Sequence, residues 1–292
     1  MKSVIITGTS KGIGFETALA FAKAGYKVYA TMRNPKTAPA LQQKCKDENL
    51  PISIMAMDVD SDESVEQCIA AIIKDNGPVD VLVNNAGIER HGSVEDLAMS
   101  DFRAVMETNY FGVLRCIKAL LPEMRKNRSG CIINIASVAS HVACIPLAAY
   151  SPSKFALEAL SEALAGEVKP FNIRVALVEP GIINTQMAQA ISSANSFADP
   201  QTRRFAGLFT ASLKTPIAPS VVAEKILEIA ESDTWQLRHA GSPDASPFLE
   251  WRKSMTDEQW VDWNAMNDED WYSSVESTFG LNARQEHTPL SV

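Results

Sequence analysis

The first thirty residues constrain the fold more than any other stretch of the chain. Residues 4–6 (Val-Ile-Ile) form a short apolar run of the kind a fully buried strand needs. They lead into a turn of small residues, Thr7-Gly8-Thr9-Ser10-Lys11-Gly12-Ile13-Gly14. Residues 16–24 then carry apolar side chains at helical spacing and stop at Gly25, and residues 26–32 are a second strand-like run. Strand, glycine turn, helix and strand make a βαβ unit. Small residues at its first turn let the backbone approach a pyrophosphate, whose charge suits the free N–H groups of the helix N-terminus. The unit is therefore expected to bind a dinucleotide.

The alternation continues. Strands are predicted at 52–57, 80–83, 131–135 and 174–178, and helices at 62–74 with Ser61 as N-cap, at 102–126 as one long element, and from about 149–151 to 168 with Pro152 in the first turn. Such a rhythm implies an α/β fold, a doubly wound parallel sheet covered on both faces. Ligands in these sheets bind at the carboxyl ends of the strands. Residues 8–14, Asp58, 84–87 (Asn-Asn-Ala-Gly), Ser137 and Pro180-Gly181 all fall there.

One short span brings reactive groups to such an end. Ser137 follows the run 131–135, and Tyr150 and Lys154 are spaced i, i+4, which places both on one helix face. A cation beside a phenol favours phenolate, so the tyrosine can release and recover a proton, and the serine hydroxyl can hydrogen-bond a substrate oxygen. No metal-ligand spacing occurs, and no metal is expected.

The 292 residues carry a formal charge of −8, which argues against nucleic acid or an anionic membrane surface as partner. No apolar run is long enough to span a bilayer and no basic-then-apolar signal precedes residue 4, so a cytoplasmic location is expected. The five cysteines (45, 68, 116, 131 and 144) form no CxxC pair and read as reduced thiols. From residue 235 onward the composition changes: ten Asp and Glu face four Lys and Arg, and all five tryptophans lie there. The chain is divided accordingly into a catalytic domain at 1–234 and an acidic, Trp-rich extension at 235–292. Trp260 and Trp263 share a helical face and are expected to pack the extension on the body or on a neighbouring subunit, with 285–292 loose.

The glycine turn, the Asn-Asn-Ala-Gly motif at 84–87, Asn109, Ser137, Tyr150-x-x-x-Lys154 and Pro180-Gly181 stand together as in the classical short-chain dehydrogenases/reductases, which residues 2–230 resemble. The stretch 28–33 is similar to the branch holding 17β-hydroxysteroid and retinol dehydrogenases and bacterial carbonyl reductases. The resemblance implies a seven-stranded Rossmann-type sheet. It implies that Tyr150 protonates a carbonyl oxygen as hydride arrives, that Lys154 binds the nicotinamide ribose and lowers the tyrosine pKa, that Ser137 positions the carbonyl, and that Asn109 holds a relay water. Gly8, Thr9, Ser10, Lys11, Gly12, Ile13 and Gly14 would cradle the cofactor pyrophosphate. Asp58 and Val59 would meet adenine; Asn85, Ala86 and Gly87 would line the same groove. Pro180, Gly181, Ile183 and Thr185 would face the nicotinamide.

Members of this family that prefer NAD carry an acid at the end of the second strand. Here the strand ends Ala30-Thr31-Met32-Arg33-Asn34. Arg33, with Lys11, can pair with a 2′-phosphate that a carboxylate would repel, which favours NADP(H). Residues 185–219 lack the strand–helix rhythm and correspond to the family's substrate lid. Ile88, Ala139, Ile145, Leu147, Ile182, Met187, Phe205, Leu208 and Phe209 are the candidate wall of an apolar pocket. His91 and His141 are assigned no role. Relatives assemble as homodimers or homotetramers through the helices holding Asn109 and Tyr150, and the same is expected here.

The leading expectation is an NADPH-dependent oxidoreductase acting on a hydrophobic ketone, aldehyde or secondary alcohol. The alternative is a catalytically silent NADPH-binding sensor on the same fold, although such proteins typically lose the tyrosine or lysine kept here. The epimerase/dehydratase branch, with its GxxGxxG turn, does not match Gly8-x-x-x-Gly12-x-Gly14.

Overall fold

In the computed structural model, which describes residues 1–193 and 200–284, seven parallel strands build one sheet. The chain runs β1 (Ser3–Thr7), α1 (Gly12–Lys23), β2 (Lys27–Met32), α2 (Pro39–Asp47), β3 (Ile52–Ala56), α3 (Asp62–Asn76) and β4 (Val81–Asn84). It continues through α4 (Met99–Met106), α5 (Gly112–Asn127), β5 (Gly130–Ile135), α6 (Tyr150–Val168), β6 (Ile173–Glu179), α7 (Gln186–Ser192) and α8 (Pro200–Ser212). The last elements are α9 (Pro219–Glu231), β7 (Arg238–Ala240), α10 (Ala245–Lys253), α11 (Asp257–Ala265) and α12 (Asp268–Phe279).

Strand order is β3-β2-β1-β4-β5-β6-β7. Order reverses between β1 and β4, so the crevice outside their carboxyl ends is the place where a doubly wound sheet takes a ligand. The two-residue period of each strand splits the core cleanly. Val4, Ile6, Val28, Ala30, Val81, Val83, Cys131 and Ile133 pack on one face with Phe21 of α1 and Val222 and Ile226 of α9. Ile5, Tyr29, Leu82, Ile132, Val175 and Leu177 pack on the other with α3, α5 and α6. Ser61 caps α3 as expected, its hydroxyl accepting from Ser64 N.

Three expectations change. The single helix predicted at 102–126 is two helices joined by a π-helical turn, Glu107–Phe111. A π turn adds a residue to one coil of a continuing helix and is frequent at functional sites. Here it carries Asn109, whose buried side chain grips Ile88: Oδ1 accepts from Ile88 N and Nδ2 donates to Ile88 O, both at 2.9 Å. Where described, the interval 185–219 carries two helices, α7 capped by Thr185 Oγ1 and α8 ending at Ser212, before a turn and a bridge from Ile217 to Ile183. Finally, the sheet takes its last strand, β7, from beyond residue 234, so the extension proper starts once the sheet has closed at Ala240.

That extension is docked on the body. Trp260, Trp263, Trp271 and Val275 are buried with Val142 of the loop after β5, and Leu208 of α8 packs against them. Trp260 and Trp263 stack with centroids 5.5 Å apart, and Trp251 meets both edge-on. Trp235 stands apart and is exposed. The acidic charge is locally paired: Asp268 takes Arg203 and Arg204 from α8, and Glu269 and Glu276 take Arg284. A Cβ on Gly207 of α8 would lie 2.1 Å from the Ala283 carbonyl, so the returning backbone rests directly on that helix. The end expected to be loose, 285–292, lies outside the described residues. Among the described residues no helix is long and apolar enough to cross a membrane.

Candidate active site

A cleft of about 860 Å³ opens along the carboxyl ends of β1, β2, β4, β5 and β6. At its floor, two glycines supply backbone that other residues rarely adopt: Gly8 has φ +70° and Gly12 φ +62°. The turn is held by the Asn-Asn-Ala-Gly motif. Thr7 Oγ1 accepts from the backbone N–H groups of Asn85 (3.0 Å) and Ala86 (2.9 Å), while Asn85 Nδ2 donates to Thr7 O and Gly8 O. A Cβ on Gly14 would fall 2.3 Å from Asn85 Nδ2 and 2.5 Å from Gly8 O. Gly14 therefore permits the helix to close on the strand ends, and does not line the cleft.

Ser10, Lys11, Gly12 and Ile13 do line it, as do Gly8, Arg33, Asp58, Val59, Asn85, Ala86, Gly87, Pro180, Gly181, Ile183 and Thr185. Thr9 is turned away: its N–H and its hydroxyl both donate to Thr31 O, at 3.1 and 3.2 Å, and it is fully buried. Lys11 Nζ reaches Gln186 Oε1 at 2.7 Å, tying the glycine turn to α7. Asp60, missed in the sequence, lines the cleft together with Asp58 and Val59. Burial raises its carboxyl above the usual range, a hydrogen bond from Thr108 (3.0 Å) opposes this, and Arg33 acts in the same lowering direction.

The reactive group assembles where β5 meets α6. Tyr150 opens the helix and Lys154 follows one turn later, its Nζ donating to Ile135 O at 2.8 Å and lying 5.6 Å from the Tyr150 ring centroid. Ser137 caps a short 3₁₀ turn, its Oγ accepting from Ala139 N at 3.1 Å. Burial pushes the Tyr150 phenol up to about 12, against a hydrogen bond with Ser137 that lowers it; the Glu89 charge adds to the rise. Burial also pushes the Lys154 ammonium down to about 8, and Glu158 on the next turn partly restores it. Asn109 sits behind this group rather than in the cleft wall. Its Nδ2 donates to Ser153 Oγ (3.0 Å), which in turn donates to Tyr150 O at 2.6 Å. It thus fixes the first turn of the helix that presents the phenol.

Beyond Tyr150 the cleft becomes apolar. Ile88, Ala139, Leu147, Ile182, Met187, Phe205, Leu208 and Phe209 line it. Ile145 does not: it is 42% exposed and borders a separate small hollow of about 40 Å³ beneath the tryptophans. Phe248 of α10 lines both spaces, and nothing local in the sequence marked that aromatic as a cleft residue. His141 lies outside the cleft. Its Nε2 is 2.7 Å from Glu179 Oε1, and with Glu158 they bring donor atoms within 4.8 Å of one another; Arg238 already holds Glu158 at 2.9 Å.

The residues present fit a nicotinamide dinucleotide. The positive-φ glycines lie at the start of α1, Ala86 Cα would be only 2.8 Å from a Cβ on Gly8, and the cleft runs unbroken from this cradle to Tyr150. A doubly wound sheet with such a cradle at its switch point and a Ser–Tyr–Lys group on the next strand end defines an oxidoreductase of the Rossmann type. The chain belongs to the short-chain dehydrogenase family, whose model (short chain dehydrogenase) matches residues 2–196. It is 42% identical over 183 residues to a 3-ketodihydrosphingosine reductase of Bacteroides thetaiotaomicron, a match covering 62% of this chain and 64% of that protein. It is 39% identical over 213 residues to human retinol dehydrogenase 8, covering 70% and 68%. The chain thus spans about two thirds of the length of these relatives. Among solved structures, ElxO with NADP bound superposes with a TM-score of 0.69 at 31% identity, covering 82% of this chain and 97% of that one.

Proposed function

We propose that the protein is an NADPH-dependent reductase of hydrophobic ketones or aldehydes, working in reverse on the matching alcohols. The observation that carries this reading is the Ser137–Tyr150–Lys154 group at the junction of the dinucleotide cradle and an apolar pocket. Bound nicotinamide supplies the hydride. Tyr150 gives its proton to the carbonyl oxygen as the carbon–oxygen double bond becomes an alcohol, and Ser137 hydrogen-bonds that oxygen and fixes its position. A phenol held near 12 remains an acid throughout the neutral range, which suits reduction. Lys154, anchored on Ile135 O with its other N–H donors left for the ribose hydroxyls, keeps positive charge beside the phenol as it loses its proton. Asn109 positions the helix that carries both.

Preference for NADPH rests on charge. Arg33 directly follows the second strand, Lys11 lines the same cleft, and the position where an acid would hold a ribose hydroxyl has none. NADP in the related ElxO structure is consistent with it. The pocket wall, with Leu147, Phe205, Leu208, Phe209 and Phe248, supports a bulky apolar substrate, as do the sphingoid ketone and the retinol in the relatives' names. The test is NADPH consumption by the purified protein across aldehydes, small ketones, long-chain ketones, ketosteroids and retinal, with Tyr150→Phe alongside. Turnover that falls at least about a hundredfold in the variant is expected for loss of a general acid. Wild-type turnover in Tyr150→Phe would overturn the mechanism, and NADPH binding without turnover on any carbonyl would favour a sensor.

A further inference from the structure

Beside Tyr150 the cleft holds a charged group for which the proton-transfer scheme has no use. Glu89 lies two residues beyond the Asn-Asn-Ala-Gly motif and lines the cleft, yet only 8% of its side chain is exposed. Its Oε1 is 2.7 Å from His91 Nε2, but the two do not meet in hydrogen-bonding geometry, and neither atom has a hydrogen-bond partner among the described residues. The adjacent cation is turned elsewhere: Arg90 Nη1 donates to the backbone carbonyl of Glu89, and Arg90 Nε faces Asp101 at 3.3 Å. The carboxylate is close enough to Tyr150 to raise its phenol pKa. His91 in turn touches Phe205 edge-on, with centroids 6.0 Å apart, so the pair stands where the polar and apolar parts of the cleft meet.

A buried carboxylate oxygen left without a donor is costly, and a wall built to hold only hydrocarbon has no need of one. We propose that Glu89 is a recognition group for a hydrogen-bond donor, an ammonium or a hydroxyl, that the substrate carries one or two carbons from its carbonyl. The inference rests on the reductase reading. Glu89 lines the same cleft as Tyr150, Ser137, Phe205, Leu208, Phe209 and Phe248, so a substrate whose carbonyl oxygen meets Tyr150 and Ser137 can turn such a donor to Glu89 and lay its hydrocarbon remainder along the apolar wall. The substrate class becomes an amphipathic amino- or hydroxy-ketone with a long apolar part. Charge-assisted bonds of this kind are the strong ones, and a site built for a donor discriminates sharply against the analogue that lacks it.

The experiment compares NADPH-dependent kcat/KM for three matched long-chain ketones: the plain ketone, its 2-amino derivative and its 2-hydroxy derivative. In the wild type at least one donor-bearing ketone should exceed the plain one by about tenfold or more, with the amino compound highest if an ammonium is the natural donor. In Glu89→Gln that ratio should shrink to within about threefold. Equal kcat/KM for all three in the wild type, or a ratio that survives in Glu89→Gln, would overturn the proposal while leaving the reductase reading in place. Absence of turnover on all three would count against the reductase reading and the proposal together. A measurement independent of the variant is competitive inhibition of the wild type by a long-chain 2-amino alcohol against the plain alcohol of equal length. Equal inhibition constants would likewise refute it.

Discussion

The sharpest test of the reactive group is a pH profile, because the structure sets two proton affinities far apart in adjacent side chains. Burial moves Lys154 from 10.5 to about 8 and Tyr150 from 10.0 to about 12. At about 1.4 kcal/mol per pH unit, the lysine change amounts to roughly 3 kcal/mol in favour of the neutral amine. The sign follows directly. A lysine with a depressed pKa is charged below about 8 and neutral above it, while the phenol keeps its proton throughout. Losing the lysine proton removes the cation that helps the phenol ionise. Initial rates on a neutral ketone at saturating NADPH should therefore give a kcat/KM that is level below about 8 and then falls about tenfold per pH unit. Lys154→Met should lower the plateau by about a hundredfold or more and abolish the fall near 8, because only the phenol then titrates. A wild-type profile level beyond about pH 10, or a Lys154→Met profile that still falls near 8, would refute the assignment.

Two further outcomes follow from charge and packing. Arg33→Asp should weaken NADPH binding by about tenfold or more while leaving NADH unchanged or improved, read by fluorescence titration of each; equal losses would remove the 2′-phosphate argument. Trp263→Ala removes a ring that touches Trp251, Trp260 and Trp271 and donates to Ser274 Oγ at 2.8 Å. Loss of a buried tryptophan costs about 3–5 kcal/mol, which at this chain length lowers Tm by on the order of 10 °C. A change below about 2 °C would mean that the extension does not share the body's cooperative unfolding.

What the chain revealed of itself beforehand divides along a physical line. Strand ends and the groups attached to them were readable, since a buried parallel strand has one period and its successor residue must emerge at the ligand edge. Ser137 and the turn around Gly12 follow from that logic, Tyr150 and Lys154 from helical spacing, and their roles from the family resemblance. The direction of a single side chain inside a turn was not readable. Thr9 lies between two cleft residues, yet its hydroxyl satisfies the Thr31 carbonyl, a backbone group on another strand that local spacing does not reveal. Gly14 was legible as a turn glycine, but its actual constraint, contact with Asn85 Nδ2, joins residues 71 positions apart.

The same reasoning explains why the polar groups outside the motif were harder to find than those within it. Asn134 looks like an ordinary strand residue until the sheet forms. It then bridges Asn84 Nδ2 and Ser161 Oγ, both at 2.8 Å, linking β4 to α6 beneath the reactive group. Phe248 reaches the cleft from α10, which packs on the turn after β5 while Leu208 of α8 meets the tryptophans behind it. Glu89 is the most instructive case. In a linear reading, an acid flanked by Arg90 and His91 is a solvated loop charge. Once β4 ends beside α6, that backbone carries the carboxylate under the apolar wall, where water no longer satisfies it. Burial, which sequence spacing cannot assign to a loop, turns the charge from a surface feature into a demand on the ligand.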